Sequence, residues 1–147
     1  QHSFPTRRSS DLAQNIKYVE IKYVSDIFPE APAKWAAEAG VKNVVSDCDI
    51  ILNGPEVQAV LICSSTDTHC DMIIRAARAG KEIFCEKPID LSPEKIQIAL
   101  EEIKKAGVRL QVGFNRRFDH NYRAVYNAIQ TGKIRQARYH QADDARV

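Results

Sequence analysis

Apolar runs that stop abruptly at polar residues recur along this chain. Ala59-Val60-Leu61-Ile62-Cys63 ends at Ser64-Ser65-Thr66, and Ile83-Phe84-Cys85 ends at Glu86-Lys87-Pro88. Short continuous apolar runs of this kind predict strands buried in a parallel sheet. They place strands over 57–63, 82–85 and 108–114, with a shorter one at Val44-Val45. The stretch 19–26 alternates apolar and polar residues at first, closes on Asp26 and predicts another strand. Helices are predicted between them. One covers 29–39 with Gly40 as its C-cap, and a short one runs from an Asp47 N-cap through Asn53 before the Gly54-Pro55 turn. The helix over 66–79 places Met72, Ile73, Ala76 and Ala77 on one face and ends at Gly80. Ser92-Pro93-Glu94 opens a helix with a capping hydroxyl, a first-turn proline and an acid at the positive end; it runs to Ala106 and stops at Gly107. A last helix covers 121–131, ended by Gly132; 13–18 reads as the end of a helix, and the stretch from Arg135 begins like a strand.

Strand and helix alternate strictly with short connections, which predicts an α/β fold with a doubly wound parallel sheet. Such sheets bind ligands beyond the carboxyl ends of their strands. The polar residues at those ends, Ser64, Ser65, Thr66, His69, Glu86 and Lys87, are therefore the candidate site. Asp26 ends an early strand, where a carboxylate can accept from the ribose hydroxyls of NAD and repel the extra phosphate of NADP. Each has a plainer reading: Asp26 as a helix cap, Lys87 in a surface ion pair with Glu86, and His69 as a solvent-facing residue of a first helical turn.

Composition narrows the class. With 147 residues the chain is long enough for one domain with a real core, and its 44% hydrophobic and 27% charged residues are ordinary for a soluble protein. A net charge of +2 argues against nucleic-acid or membrane partners, and no apolar run approaches the ~20 residues of a membrane span. Arg116-Arg117 between aromatics has no wider basic patch around it. Cys48, Cys63, Cys70 and Cys85 form no CxxC pair and no zinc spacing, so no metal is expected. They read as reduced thiols of a cytoplasmic protein.

Glycine placement is the anomaly. A dinucleotide fingerprint, GxGxxG, is expected about 20 residues before the ribose-binding acid, which falls near Thr6, yet no glycine precedes Gly40. A Cβ blocks both the tight turn and the close approach of backbone to pyrophosphate. Either the chain binds no dinucleotide, or its first strand and glycine loop have been replaced. His2 through Leu12 resembles the translation of a sequencing-library adapter. Residues 1–12 are thus expected to be a non-native or disordered tail, and the sheet to lack its first strand, whose place lies between the strands at 19–25 and 57–63.

Three motifs carry a family resemblance: Ile62-Cys63-Ser64-Ser65-Thr66-Asp67-Thr68-His69, then Gly80 through Pro88, then Gln111-Val112-Gly113-Phe114-Asn115-Arg116-Arg117-Phe118-Asp119. Over about residues 13–142 the chain resembles the glucose–fructose oxidoreductase/inositol dehydrogenase/MocA family, most of all its inositol-dehydrogenase members. The resemblance implies NAD as cofactor, with Asp26 at the adenosine ribose, Ser64, Ser65, Thr66 and His69 along the cofactor, and Glu86 near the nicotinamide ribose. It also implies Lys87 at the reacting hydroxyl, a cis bond at Pro88, and Asn115 and Arg116 bordering cofactor and substrate. It implies a Rossmann remnant over 13–118, and over 119–147 a linker helix with the first strand of a truncated second α+β domain. The family's catalytic His/Asp helix is expected beyond this chain, since Asp143-Asp144 comes too early to replace it. The implied activity is hydride transfer from a secondary alcohol of a cyclic polyol or sugar to nicotinamide. The parent is expected to be a homo-oligomer and the isolated chain to be close to inactive. A non-catalytic Rossmann-like module that binds a nucleotide or docks a partner fits the same pattern. A phospho-receiver-like fold would need paired acids after the first strand.

Overall fold

The computed structural model describes residues 17–133. The expectations for 1–12 and for the strand from Arg135 lie outside them. Within them the alternation is present: β1 (Tyr23–Ser25), α1 (Glu30–Glu38), β2 (Asn43–Val45), α2 (Cys48–Asn53), β3 (Ala59–Ile62), α3 (Thr66–Arg78), β4 (Glu82–Glu86), α4 (Pro93–Ala106), β5 (Leu110–Gly113) and α5 (His120–Gln130). A 3₁₀ turn, Asn115–Arg117, was not foreseen.

Helix ends follow local chemistry. The Asp47 carboxylate accepts from the Asp49 N–H and opens α2. The Ser92 hydroxyl accepts from the Lys95 N–H at 3.3 Å, and Gly107 closes α4 in the left-handed region at φ 70°, donating its N–H to the Ile103 carbonyl. β1, β3 and β5 are shorter than predicted, β1 keeping three residues of 19–26, whereas β2 and β4 each gain one residue, Asn43 and Glu86.

All strand pairs are parallel, in two sheets, β1-β2 and β3-β4-β5. Among the described residues no ladder joins β1 to β3. The interruption lies where a further strand was expected. In the larger sheet, Ile62, Ile83 and Cys85 pack with Cys70, Ile73, Ala76 and Ala77 of α3 and with Ala99 and Ile103 of α4. The opposite face, which carries Leu61 and Phe84 in register, is more open, and Leu61 is 44% exposed. The chain divides into two compact units, Gln1–Gly113, which holds both sheets, and Phe114–Val147.

Lys81 was not singled out in the sequence, yet its side chain is buried. Its ammonium donates to the Gly54 carbonyl at 2.7 Å and the Val57 carbonyl at 2.8 Å, tying the start of β4 to the turn before β3. Lys81→Met keeps the apolar stem and removes both donors. The Gly54 carbonyl still accepts from the Val57 N–H at 3.2 Å, so the cost falls mainly on the Val57 carbonyl. An unpaired buried acceptor costs about 1–3 kcal/mol, and release of the buried charge offsets part of it. The expected loss is therefore about 1–2 kcal/mol, read as a lower urea midpoint at unchanged slope.

Candidate active site

Six of the residues singled out in the sequence meet where β3 and β4 end. The ladder pairs Ile62 with Cys85, so Ser64-Ser65 and Glu86-Lys87 leave neighbouring strands side by side. The first turn of α3 then folds over both exits. The Thr68 hydroxyl donates to the Ser65 carbonyl at 2.7 Å and lies 2.6 Å from the Ser64 hydroxyl. A hydroxyl has one proton. Thr68 spends its own on Ser65, so Ser64 is the donor to Thr68 and offers a ligand lone pairs only. Ser65 is the N-cap of α3 and makes no side-chain cap bond. Ser64 and Ser65 are exposed, and Thr66 is half-buried.

His69 is 2% exposed, which corrects the solvent-facing reading. Its Nδ1 lies 2.8 Å from the Pro88 carbonyl and its Nε2 2.9 Å from the Ser64 carbonyl. Its polar atoms are thus engaged with the main chain at both strand exits. Lys87 precedes a cis peptide bond to Pro88 and is exposed. Glu86 is half-buried and pairs in register with Gly113 of β5. A Cβ on Gly113 would sit 3.1 Å from Glu86 Oε2 and 3.1 Å from Phe84 Cζ, so the bare backbone makes room for the carboxylate. The sequence reading missed Gly113 and Thr68. The signals were a glycine ending the strand beside the acid, and a threonine three residues after the N-cap serine.

Asp26 lies at the end of β1, on the other sheet. Its Oδ1 accepts from the Phe28 N–H at 2.9 Å, a turn-forming bond, although the N-cap of α1 is Pro29. A carboxylate has about four acceptor positions, so capacity for ribose hydroxyls remains. Asn115 and Arg116 belong to the second unit, in the 3₁₀ turn, and the Arg116 guanidinium stacks 5.3 Å from the Tyr122 ring centroid. Among the described residues no group of His, Cys, Asp or Glu has the arrangement to hold a metal ion, and no helix is long and apolar enough to cross a membrane. Burial, then the neighbouring charges, pushes the Cys85 thiol up to about 12 and Cys70 to about 11, so neither is a nucleophile near neutral pH.

Exposed hydroxyls at Ser64 and Ser65, a carboxylate set against bare backbone at Glu86, and an ammonium at Lys87 suit the ribose and carboxamide end of a nicotinamide nucleotide. The pyrophosphate end finds no such fit among the described residues. Their positive-φ glycines, Gly40, Gly80, Gly107 and Gly132, each follow a helix, and none forms a phosphate turn between a strand and the helix after it.

The profile of the Gfo/Idh/MocA oxidoreductase family, described by its NAD-binding Rossmann fold, matches residues 3–114. The inositol 2-dehydrogenase of Rhizobium meliloti is 47% identical over 111 residues, 76% of this chain and 33% of that protein. The NAD(+)-dependent scyllo-inositol 2-dehydrogenase of Bacillus subtilis is 38% identical over 126 residues, 86% of this chain and 37% of the relative. The crystal structure of scyllo-inositol dehydrogenase from Lactobacillus casei, with bound NAD(H) and scyllo-inositol, superposes with a TM-score of 0.78 at 31% identity, covering 86% of this chain and 37% of that one. The chain thus spans about a third of the length of the relatives it matches. By the extent of that family match, the chain belongs to the Gfo/Idh/MocA oxidoreductases, a family built on the NAD-binding Rossmann fold.

Proposed function

We propose that this chain is the cofactor-side part of an NAD-dependent dehydrogenase acting on a secondary alcohol of a cyclic polyol such as inositol. The observation that carries the proposal is the joined exit of β3 and β4. Lys87 emerges there next to Glu86, whose carboxylate rests against Gly113, while His69 links the Pro88 turn to the Ser64 loop. When bound, the nicotinamide supplies hydride acceptance. Lys87 donates a hydrogen bond to the alcohol oxygen and stabilises the negative charge that develops on it. Glu86 accepts from a ribose hydroxyl, Ser64 presents acceptor lone pairs, and Ser65 and Thr66 line the same loop. Asp26 accepts from the adenosine ribose.

The 147-residue chain alone is expected to turn over little. Among the described residues the edges of β1 and β3 at the interruption have no ladder partner, and there is no phosphate turn. The test is therefore a graft. Residues 57–113, β3 through β5, replace the matching stretch of the Rhizobium meliloti inositol 2-dehydrogenase, and myo-inositol oxidation is followed by NADH absorbance. Turnover within about tenfold of the recipient, a cost of 1.4 kcal/mol or less, supports the proposal. A folded graft that binds NAD without oxidising inositol sinks it and favours the non-catalytic module.

A further inference from the structure

We infer that His69 is a positioning residue: it fastens the turn after Lys87 to the Ser64 loop and so sets the direction in which Lys87 leaves β4. The inference rests on the reading of Lys87 as the group facing the alcohol. The first turn of α3 grips two consecutive carbonyls on the β3 side. Thr68 Oγ1 donates to Ser65 at 2.7 Å, and His69 Nε2 lies 2.9 Å from the Ser64 carbonyl. The same turn reaches two consecutive carbonyls on the β4 side. His69 Nδ1 lies 2.8 Å from the Pro88 carbonyl, and the Cys70 thiol approaches the Ile89 carbonyl at 4.0 Å.

The imidazole is rigid, and its two nitrogens point in different directions, so it acts as a spacer of fixed length between the exits. Both partners are carbonyl acceptors, so both contacts are hydrogen bonds only when each ring nitrogen carries a proton; a ring with one proton ties one exit and sets a lone pair against the other oxygen. At 2% exposure the ring leaves little access for water to replace either contact. Lys87 is joined through one peptide bond to the residue whose carbonyl is held, so motion of Pro88 is motion of the lysine's backbone.

The test is amide hydrogen exchange on the full chain. Asparagine places its amide where Nδ1 stands, and glutamine places its amide where Nε2 stands. His69→Asn is expected to keep 86–91 protected and speed exchange at least tenfold in 62–66, and His69→Gln to do the reverse. His69→Leu speeds both, and the peptides of α4 are unchanged in all three. If the Asn and Gln variants loosen both segments alike, or exchange rises evenly through α3 and α4, the role is packing and the inference fails. Wild-type protein gives a check that needs no variant. Two slowly exchanging His69 ring N–H signals in ¹⁵N spectra support the bridge, and a ring with only one is fastened to a single exit and overturns it. In the inositol dehydrogenase graft, His69→Asn and His69→Gln should lower kcat with the KM for NAD unchanged. A graft that never turns over, beside segment-specific exchange, removes the role assigned to Lys87 and leaves the bridge standing.

Discussion

Lys87→Met in the grafted dehydrogenase is expected to lower kcat for inositol oxidation by about 10²–10³-fold, with the KM for NAD little changed. Methionine has nearly the length of the lysine stem and lacks its charge and donors. The alcohol oxygen gains negative charge only as its proton leaves, so a donor aimed at it stabilises the transition state more than the ground state. Loss of one such donor corresponds to about 2.7–4 kcal/mol. The surface ion-pair reading of Lys87 predicts something else. An exposed pair contributes at most about 1 kcal/mol, so its loss would change kcat by no more than about fivefold. The two readings therefore differ by more than tenfold in one measurement, made by NADH absorbance under saturating cofactor. Lys87→Arg is expected to rescue poorly. The planar fork spreads its charge over five donors, whereas the ammonium brings a compact charge to a single oxygen. Full activity in the arginine variant would mean that any cation near the strand exit suffices.

Residues that act within about four positions of themselves were legible in the sequence, in line with the reach of capping and turn rules. Asp47, Ser92 and Gly107 fulfil the roles that their neighbours predict, and the alternation of elements follows from the spacing of apolar runs. The candidate site was legible for the same reason, because apolar runs ending in Ser64-Ser65 and Glu86-Lys87 mark strand exits wherever the strands lie. Contacts between distant segments were not legible. Lys81 looks like a surface lysine after a glycine, and only the fold brings the Gly54 and Val57 carbonyls to it. Gly113 reads as a strand-end glycine until the register sets it opposite Glu86. His69 shows the same limit. Its helix position suggested solvent, but the parallel pairing of β3 and β4 brings the Pro88 carbonyl within reach of its ring. The strand over 19–26 shrank to Tyr23–Ser25, because β1 finds a ladder only along β2 among the described residues.

Alkaline pH is expected to destabilise the folded chain through two thiols. Cys85 and Cys70 are 0% and 2% exposed, and burial, before any charge effect, raises them from 9.0 to about 12 and about 11. For Cys70 the Asp90 carboxylate adds to the rise, and for Cys85 the neighbouring Cys63 and Cys70 do. Below pH 9 both thiols are protonated whether the chain is folded or not, so their contribution to stability is full and flat. Above 9 the unfolded chain releases these protons and the folded chain keeps them. Stability then falls with rising pH, and the fall ends only as pH passes the folded values near 11 and 12. Between pH 8 and pH 10 each thiol is expected to cost on the order of 1 kcal/mol. The pair then removes roughly 2–3 kcal/mol, a sizeable share of the 5–15 kcal/mol typical of a whole domain. The window matters, because Tyr23 and Lys105 are also raised, from 10.0 and 10.5, by hydrogen bonds to Glu56 and Glu102, and lose their contributions at higher pH. Urea midpoints at pH 8, 9 and 10 measure the slope. Cys85→Ala lowers stability at every pH by the cavity it leaves, but it removes one titrating thiol, so the slope should fall by about half. A slope that survives Cys85→Ala unchanged would assign the alkaline sensitivity to other groups and show that Cys85 ionises as freely in the core as in the unfolded chain.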